Sequence, residues 1–299
     1  MFESKRNKYF PYIVVSPGVL LLVVIIFLPF LQNTFYSFTD YALMNINYKI
    51  VWFDNYINIM QKGEFIEALG KTLTWVILNM LLMVFLGVLA AFIQNSKSIK
   101  GKGVLQVFLL FPWVLPEVVT GYTWKLLFNY QSGPYYVLAE HLHLIPQNED
   151  IFSNGVTALF AAVLANVWRS FPIIAVTIYA KLQTLSTEQV EAAMLDGASR
   201  YDVFRSIEFP HIGQTLLSIT SLCFIWTFNS FGILKIMTNG GPAQATEVLS
   251  LLLQKKAFEF YDYSYASAFA VMMILSLLGG ILLLNILPRY LYGKKNKEV

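Results

Sequence analysis

A chain of 299 residues that is 57% hydrophobic, only 13% charged and of mean hydropathy +0.57 is too apolar for a water-soluble globule and reads as a polytopic membrane protein. A net charge of +3 gives no reason to invoke a nucleic-acid partner, and in such a chain the placement of the basic residues carries the information. Its single cysteine, Cys223, excludes an intrachain disulfide and a cysteine-based metal site.

A helix needs about 20 apolar residues to cross a hydrocarbon core of about 30 Å. Six stretches meet that length, near Tyr12 to Tyr36, Thr72 to Gln94, Val104 to Trp124, Gly155 to Ala180, Thr215 to Ile236 and Tyr265 to Leu287. The expected fold is therefore all-α, with six transmembrane helices in one membrane domain over residues 1–299. The first stretch is uncharged for 31 residues, Tyr9 to Thr39, and lacks a small-residue cleavage site after a short apolar core. It is expected to be a retained span rather than a leader.

The third and fourth spans each contain a charge, Glu117 and Arg169. A charge at membrane depth costs about 2.5–3.5 kcal/mol on insertion scales, so it faces a bundle interior or a wet cavity. Two readings stay open here, a structural ion pair and a substrate site. Pro112, Pro116 and Pro172 invite helix breaks that would help the two charges meet. Trp113 lies four residues before Glu117; Asn166, Arg169 and Ser170 share a face of the fourth span; Thr227 and Ser230 are three apart in the fifth. Aromatic rings stack on sugar rings while amides and hydroxyls bond their hydroxyl groups, so the mixture suits a carbohydrate, although each residue alone also fits helix packing.

Between the fourth and fifth spans lies a polar segment, about 181–213. Its first part is Ala-rich with early acids, which predicts a short helix beginning near Ser186 or Thr187 and ending at Gly197. A second short helix is expected over Tyr201 to Phe209, with Phe204 and Ile207 on one face and membrane re-entry at Pro210. On spacing alone, an interfacial amphipathic helix and a docking element for a soluble partner fit equally. The tails and the 95–103 and 181–213 loops carry 13 Lys and Arg, against 7 in the other three connections when Lys235, at the end of the fifth span, is counted with them. The positive-inside rule puts both termini and this segment in the cytoplasm.

Glu191-Ala192-Ala193, Gly197 six residues after the Glu, and the Ile207-x-x-Pro210 ending resemble the loop of bacterial ATP-binding-cassette importer permeases. The resemblance implies that Glu191, Ala192, Ala193, Asp196, Gly197, Phe204, Ile207 and Pro210 couple the chain to a separate ATP-hydrolysing dimer. It narrows to the maltose and glycerol-phosphate type through Phe111 to Pro116, Asn166 to Pro172, Phe228 to Phe231, and Thr238 to Pro242. In that type, sugar contacts fall on positions matching Trp113, Glu117, Asn166, Arg169, Ser170, Thr227 and Ser230, although the maltose type is uncharged where this chain has Glu117 and Arg169. A compact first subunit of this kind implies a second homologous permease subunit in a heterodimer, an extracytoplasmic sugar-binding protein and a carbohydrate substrate. It also implies a multi-pass location among the lipids of the bacterial inner membrane. Phe209 and Gly213-Gln214 depart from the usual loop ending.

Two other classes compete. An ion-driven secondary transporter would use Glu117 and Arg169 as a relay, but it has no use for the Glu191 loop and no inverted repeat is visible. A membrane enzyme would need a motif to accompany His141, His143 or His211, and neither His-Glu-x-x-His nor a nucleophile motif is present. Nor is there a phosphate-binding G-x-x-x-x-G-K-[ST] loop, so the chain is expected to be neither an enzyme nor an ATPase, with no cofactor or metal.

Overall fold

The computed structural model describes residues 9–42, 47–96, 99–143 and 149–293, with side chains as far as residue 286. The described residues form fourteen α-helices and no strand, apart from an isolated antiparallel bridge between Thr39 and Ile50. In chain order the helices are α1 Phe10–Leu22, α2 Leu28–Tyr36, α3 Asp54–Lys62, α4 Glu64–Asn95, α5 Lys102–Val114, α6 Glu117–Leu127 and α7 Pro134–His141. They continue with α8 Gly155–Leu182, α9 Thr187–Leu195, α10 Arg200–Val203, α11 Phe209–Phe228, α12 Gly232–Met237, α13 Leu249–Phe258 and α14 Tyr263–Gly293.

Five helical runs are long and apolar enough to cross a membrane: Phe10–Tyr36, Glu64–Asn95, Gly155–Leu182, Arg200–Met237 and Tyr263–Ile286. The pair α5 and α6 makes a sixth if taken as one span, but the two helices meet at 95°. The continuous third span expected from Val104 to Trp124 is thus broken. Pro116 is the physical cause, because its ring drives the preceding residue out of the helical region. Leu115 is accordingly extended, at φ −67° and ψ 135°.

Pro112 and Pro172, also expected to invite breaks, lie inside α5 and α8 without interrupting them, and Pro29 and Pro210 are absorbed by a local change of helix type. A proline in an α-helix clashes with the carbonyl four residues before it. Immediately before Pro29 and before Pro210 the helix widens into a π turn, Val23–Phe27 and Phe204–Glu208, where Leu28 N–H reaches Val23 O and Phe209 N–H reaches Phe204 O. The wider turn displaces the clashing carbonyl. Consequently α10, the π turn and α11 run on as one helix, so the short helix expected over Tyr201 to Phe209 is not separate from the span that follows Pro210.

The chain divides into two compact units. In the first, drawn from Met1–Ile66 and Leu253–Leu275, Asn55 Nδ2 donates to the carbonyls of Ser37 and Thr39 at 3.0 and 2.8 Å, and Ser264 Oγ donates to Tyr41 O at 2.8 Å. Lys256 Nζ lies 2.6 Å from Glu64 Oε2, and the Tyr265 ring sits 4.8 and 5.2 Å from the ammonium groups of Lys62 and Lys256. The second unit, Glu67–Leu252 with Ser276–Val299, contains every residue of the sites described below. Its centre is α8, whose Ala158, Ala161, Ala162 and Ala165 are buried on one stripe. Small side chains at this spacing let neighbouring helices approach closely, and α8 packs against α5, α6, α11 and α12.

Candidate substrate cavity and coupling loop

Two interruptions of helical backbone adjoin in the second unit. One is the Leu115-Pro116 break. The other follows α11, where Asn229, Ser230 and Phe231 intervene before α12 begins. Glu117 joins them: it opens α6, where the helix dipole favours a negative charge, and its Oε2 accepts the Gly232 N–H at 3.0 Å. A Cβ on residue 232 would stand 2.8 Å from Glu117 Oε2 and 2.9 Å from Glu117 Cβ, so the approach requires glycine. Lys125 Nζ, on the next turns of α6, donates to Ile236 O at 3.0 Å and ties the same two helices again.

Arg169 reaches the break from α8. Its Nε donates to Leu115 O at 2.9 Å, replacing the helical donor that the bend removes from that carbonyl. Its Nη1 lies 3.8 Å from Glu117 Oε1, with 22% and 32% of the two side chains exposed. The break therefore brings the two charges within ion-pair distance.

Beside this pair is a cavity of about 400 Å³ lined by Trp113, Glu117, Asn166, Arg169, Ser170, Ile225, Trp226, Thr227 and Asn229. Six of the seven substrate residues expected from the sequence line this one space. Ser230 does not line it. It is 4% exposed, its carbonyl accepts from Ser250 Oγ at 2.7 Å, and its own hydroxyl is buried without a hydrogen bond. The sequence reading missed Ile225 and Trp226, which line the cavity from the last turn of α11, and Asn229, which lies in the break that follows Phe228. It also missed the support behind Asn166, whose Nδ2 donates to Asn79 Oδ1 at 2.8 Å. Asn79 Nδ2 in turn bonds Trp75 O at 2.8 Å, and Trp75 Nε1 bonds Thr227 O at 3.1 Å. A lone amide in the apolar run of α4 was the available signal for Asn79.

The loop between the fourth and fifth spans is built from its caps. α9 begins after Ser186, which lacks a side-chain capping bond. It ends in a Schellman turn, with Gly197 N–H on Met194 O at 3.1 Å and Ala198 N–H on Ala193 O at 3.0 Å. Gly197 takes φ +88°, a left-handed value that a Cβ disfavours. α10 then starts with a capping box, in which Asp202 N–H bonds Ser199 Oγ and Ser199 N–H bonds Asp202 Oδ2.

Glu191, Ala192, Asp196, Gly197 and Pro210 are exposed, while Ala193, Phe204 and Ile207 are half-buried. Phe204 packs on Phe92, with ring centroids 5.2 Å apart, so its ring contacts its own chain. The apolar groups that do project are Leu195, 89% exposed, together with Met194 and Tyr201. Arg200 Nη2 lies 2.9 Å from Oε1 of Glu208, a carboxylate that is 3% exposed and whose Oε2 is buried without a hydrogen bond.

Non-helical backbone at membrane depth is tolerated where it lines a cavity, and broken helices around a polar cavity define a polytopic membrane transporter. The chain belongs to the family described as binding-protein-dependent transport system inner membrane components, whose family model matches residues 83–297. It is 30% identical over 270 residues to the trehalose/maltose transport system permease protein of Thermococcus litoralis, covering 89% of each chain. It is 29% identical over 269 residues to the multiple sugar-binding transport system permease protein of Streptococcus mutans, covering 90% of this chain and 91% of that one. Its fold matches the crystal structure of a bacterial ABC transporter involved in the import of the acidic polysaccharide alginate, with TM-score 0.79 at 16% identity over 95% of this chain and 96% of that one.

Proposed function

We propose that the chain is the non-enzymatic permease subunit of an ATP-driven, binding-protein-dependent importer of a saccharide. The observation that carries this reading is the cavity where the two helix breaks meet. Trp113 and Trp226 offer aromatic faces, Asn166, Asn229, Ser170 and Thr227 offer amides and hydroxyls, and the space is of ligand size. The relatives named for trehalose, maltose and multiple sugars support the same substrate class.

In this reading the chain is one transmembrane domain with both termini in the cytoplasm, and a second homologous permease subunit supplies the other half of the pathway. A separate ATPase dimer docks on α9, whose Leu195 and Met194 present apolar surface beside Glu191 and Asp196. An external binding protein delivers the sugar. Docking on α9 and the Gly197 turn couples ATP-driven closure to the spans, and the cavity opens alternately to either side.

Trp113→Ala and Asn166→Ala test the site in the full transporter reconstituted with its binding protein. Loss of ring stacking or of a paired hydrogen bond is expected to reduce saccharide import by on the order of tenfold each, for about 1.4 kcal/mol lost, while the subunits still co-purify. Import at wild-type rate and affinity in both assembled variants would make these packing residues and place the sugar elsewhere.

A further inference from the structure

We propose that Glu117 is the residue that sets the charge preference of the cavity, cancelling Arg169 so that neutral saccharides pass and carboxylate-bearing ones are disfavoured. The inference rests on the reading of the cavity as a saccharide site and goes on to its selectivity. Among the residues that line the cavity, Glu117 and Arg169 are the only formally charged ones. Their charges sum to zero. Both side chains are mostly buried, and with part of the surrounding water excluded a charge acts on a ligand more strongly than it would in bulk solvent.

Neither charge is free to swing away. Glu117 is held through Oε2 by the Gly232 N–H, and Gly232 packs too closely on the Glu117 side chain to admit even a Cβ. Arg169 is held through Nε by the Leu115 carbonyl at the bend. The Nε bond leaves the terminal guanidinium nitrogens with donor capacity, and Glu117 Oε1 keeps acceptor capacity beside them. A hydroxyl group, both donor and acceptor, can bond either one. A carboxylate placed there would gain Arg169 but face Glu117 at short range, while losing its own hydration.

Glu117→Gln separates these effects. The Gln amide oxygen still accepts the Gly232 N–H, so the junction of the two breaks is retained while the negative charge disappears. The cavity then carries the uncompensated Arg169, whose planar donors match a carboxylate. Arg169→Gln makes the opposite change and leaves the cavity negative. The double variant Glu117→Gln/Arg169→Gln is neutral again.

The experiment is a pair of titrations on the assembled transporter, followed by saturation-transfer NMR, with methyl glucoside and methyl glucuronide as probes that differ by a hydroxymethyl against a carboxylate. The wild type is expected to bind the glucoside better than the glucuronide, by on the order of tenfold. Glu117→Gln should narrow or reverse that ratio by a similar factor, Arg169→Gln should widen it, and the double variant should return it toward wild type. A ratio near one in the wild type, or one that no variant moves, overturns the proposal. Should Glu117→Gln fail to assemble, Arg169→Gln alone decides, since a ratio that does not widen overturns it equally. Failure of the saccharide reading itself has a different signature, namely that neither probe binds and that Trp113→Ala imports the native saccharide normally.

Discussion

Gly232 is where a single atom has the largest structural consequence in the cavity wall. Alanine there would put a Cβ 2.8 Å from Glu117 Oε2 and 2.9 Å from Glu117 Cβ, inside van der Waals contact with a side chain that is itself pinned. Overpacking of this kind costs about 1–3 kcal/mol. Gly232→Ala is therefore expected to lower the thermal midpoint of the purified permease and to reduce import, and adding Glu117→Ala should recover part of the stability. A thermal-shift series that finds Gly232→Ala neutral would mean that α6 and α12 are not held at this contact. The identity of the cavity residues was largely legible in the sequence, because Glu117 and Arg169 interrupt apolar runs and their helical neighbours are polar or aromatic. Their bonds were not legible. Spacing says that Arg169 shares a face with Asn166, but only the bent backbone reveals that Arg169 serves Leu115 O, and that Asn166 is steadied by Asn79 from 87 residues away.

The segment between the fourth and fifth spans, proposed above to couple the chain to an ATPase, differs from its sequence forecast in one respect that bears on that proposal. Two short helices and a re-entry point at Pro210 would make a loop hinged at both ends. Instead α10, the π turn and α11 are continuous, and the one break in helical backbone within the segment from α9 to α11 is the turn at Gly197. The Arg200–Glu208 pair ties the start of α10 to the last residue of the π turn, with Phe204 packed against Phe92. A buried carboxylate with an unpaired oxygen is a costly group to keep, about 1–3 kcal/mol or more when charged, which fits a mechanical role better than a stabilising one. Breaking the pair is expected to soften the lever. In reconstituted transporter, Arg200→Ala and Glu208→Gln should leave stimulated ATP hydrolysis within about twofold while the sugar imported per ATP falls severalfold, with Arg200→Lys nearer to wild type. Gly197→Val should impair hydrolysis and import together, because it strains the turn itself. If the coupling ratio is unchanged in all three pair variants, the lever does not depend on this ion pair. The continuity at Pro210 was hidden from sequence rules that treat a proline as a boundary, since a π turn can accommodate one inside a helix.

At the scale of the whole chain, hydropathy found each span because the bilayer demands about 20 apolar residues, a requirement that tertiary context cannot relax. The 95° bend shows where that reading fails, for composition registers the length of a span and not its direction. Orientation comes from a separate property, the distribution of Lys and Arg. The 13 basic residues assigned to one side against 7 on the other predict six spans with both termini and α9 in the cytoplasm. The prediction is sharp because six is even: losing or adding one crossing would move either the C-terminus or the Glu191 loop to the wrong face. Single-cysteine labelling in intact cells tests it once Cys223, buried in α11, is replaced by alanine. A cysteine at Leu195, 89% exposed at the end of α9, should react with a membrane-impermeant reagent only after the cells are opened. A cysteine at Ile145, which lies outside the described residues, should react from outside. The reverse pattern would invert the topology and remove α9 from the reach of any cytoplasmic ATPase. Outside labelling at both positions would show that a crossing between them is missing, and the bent α5–α6 pair would then still count as entering and leaving on its present sides while α8 would not span.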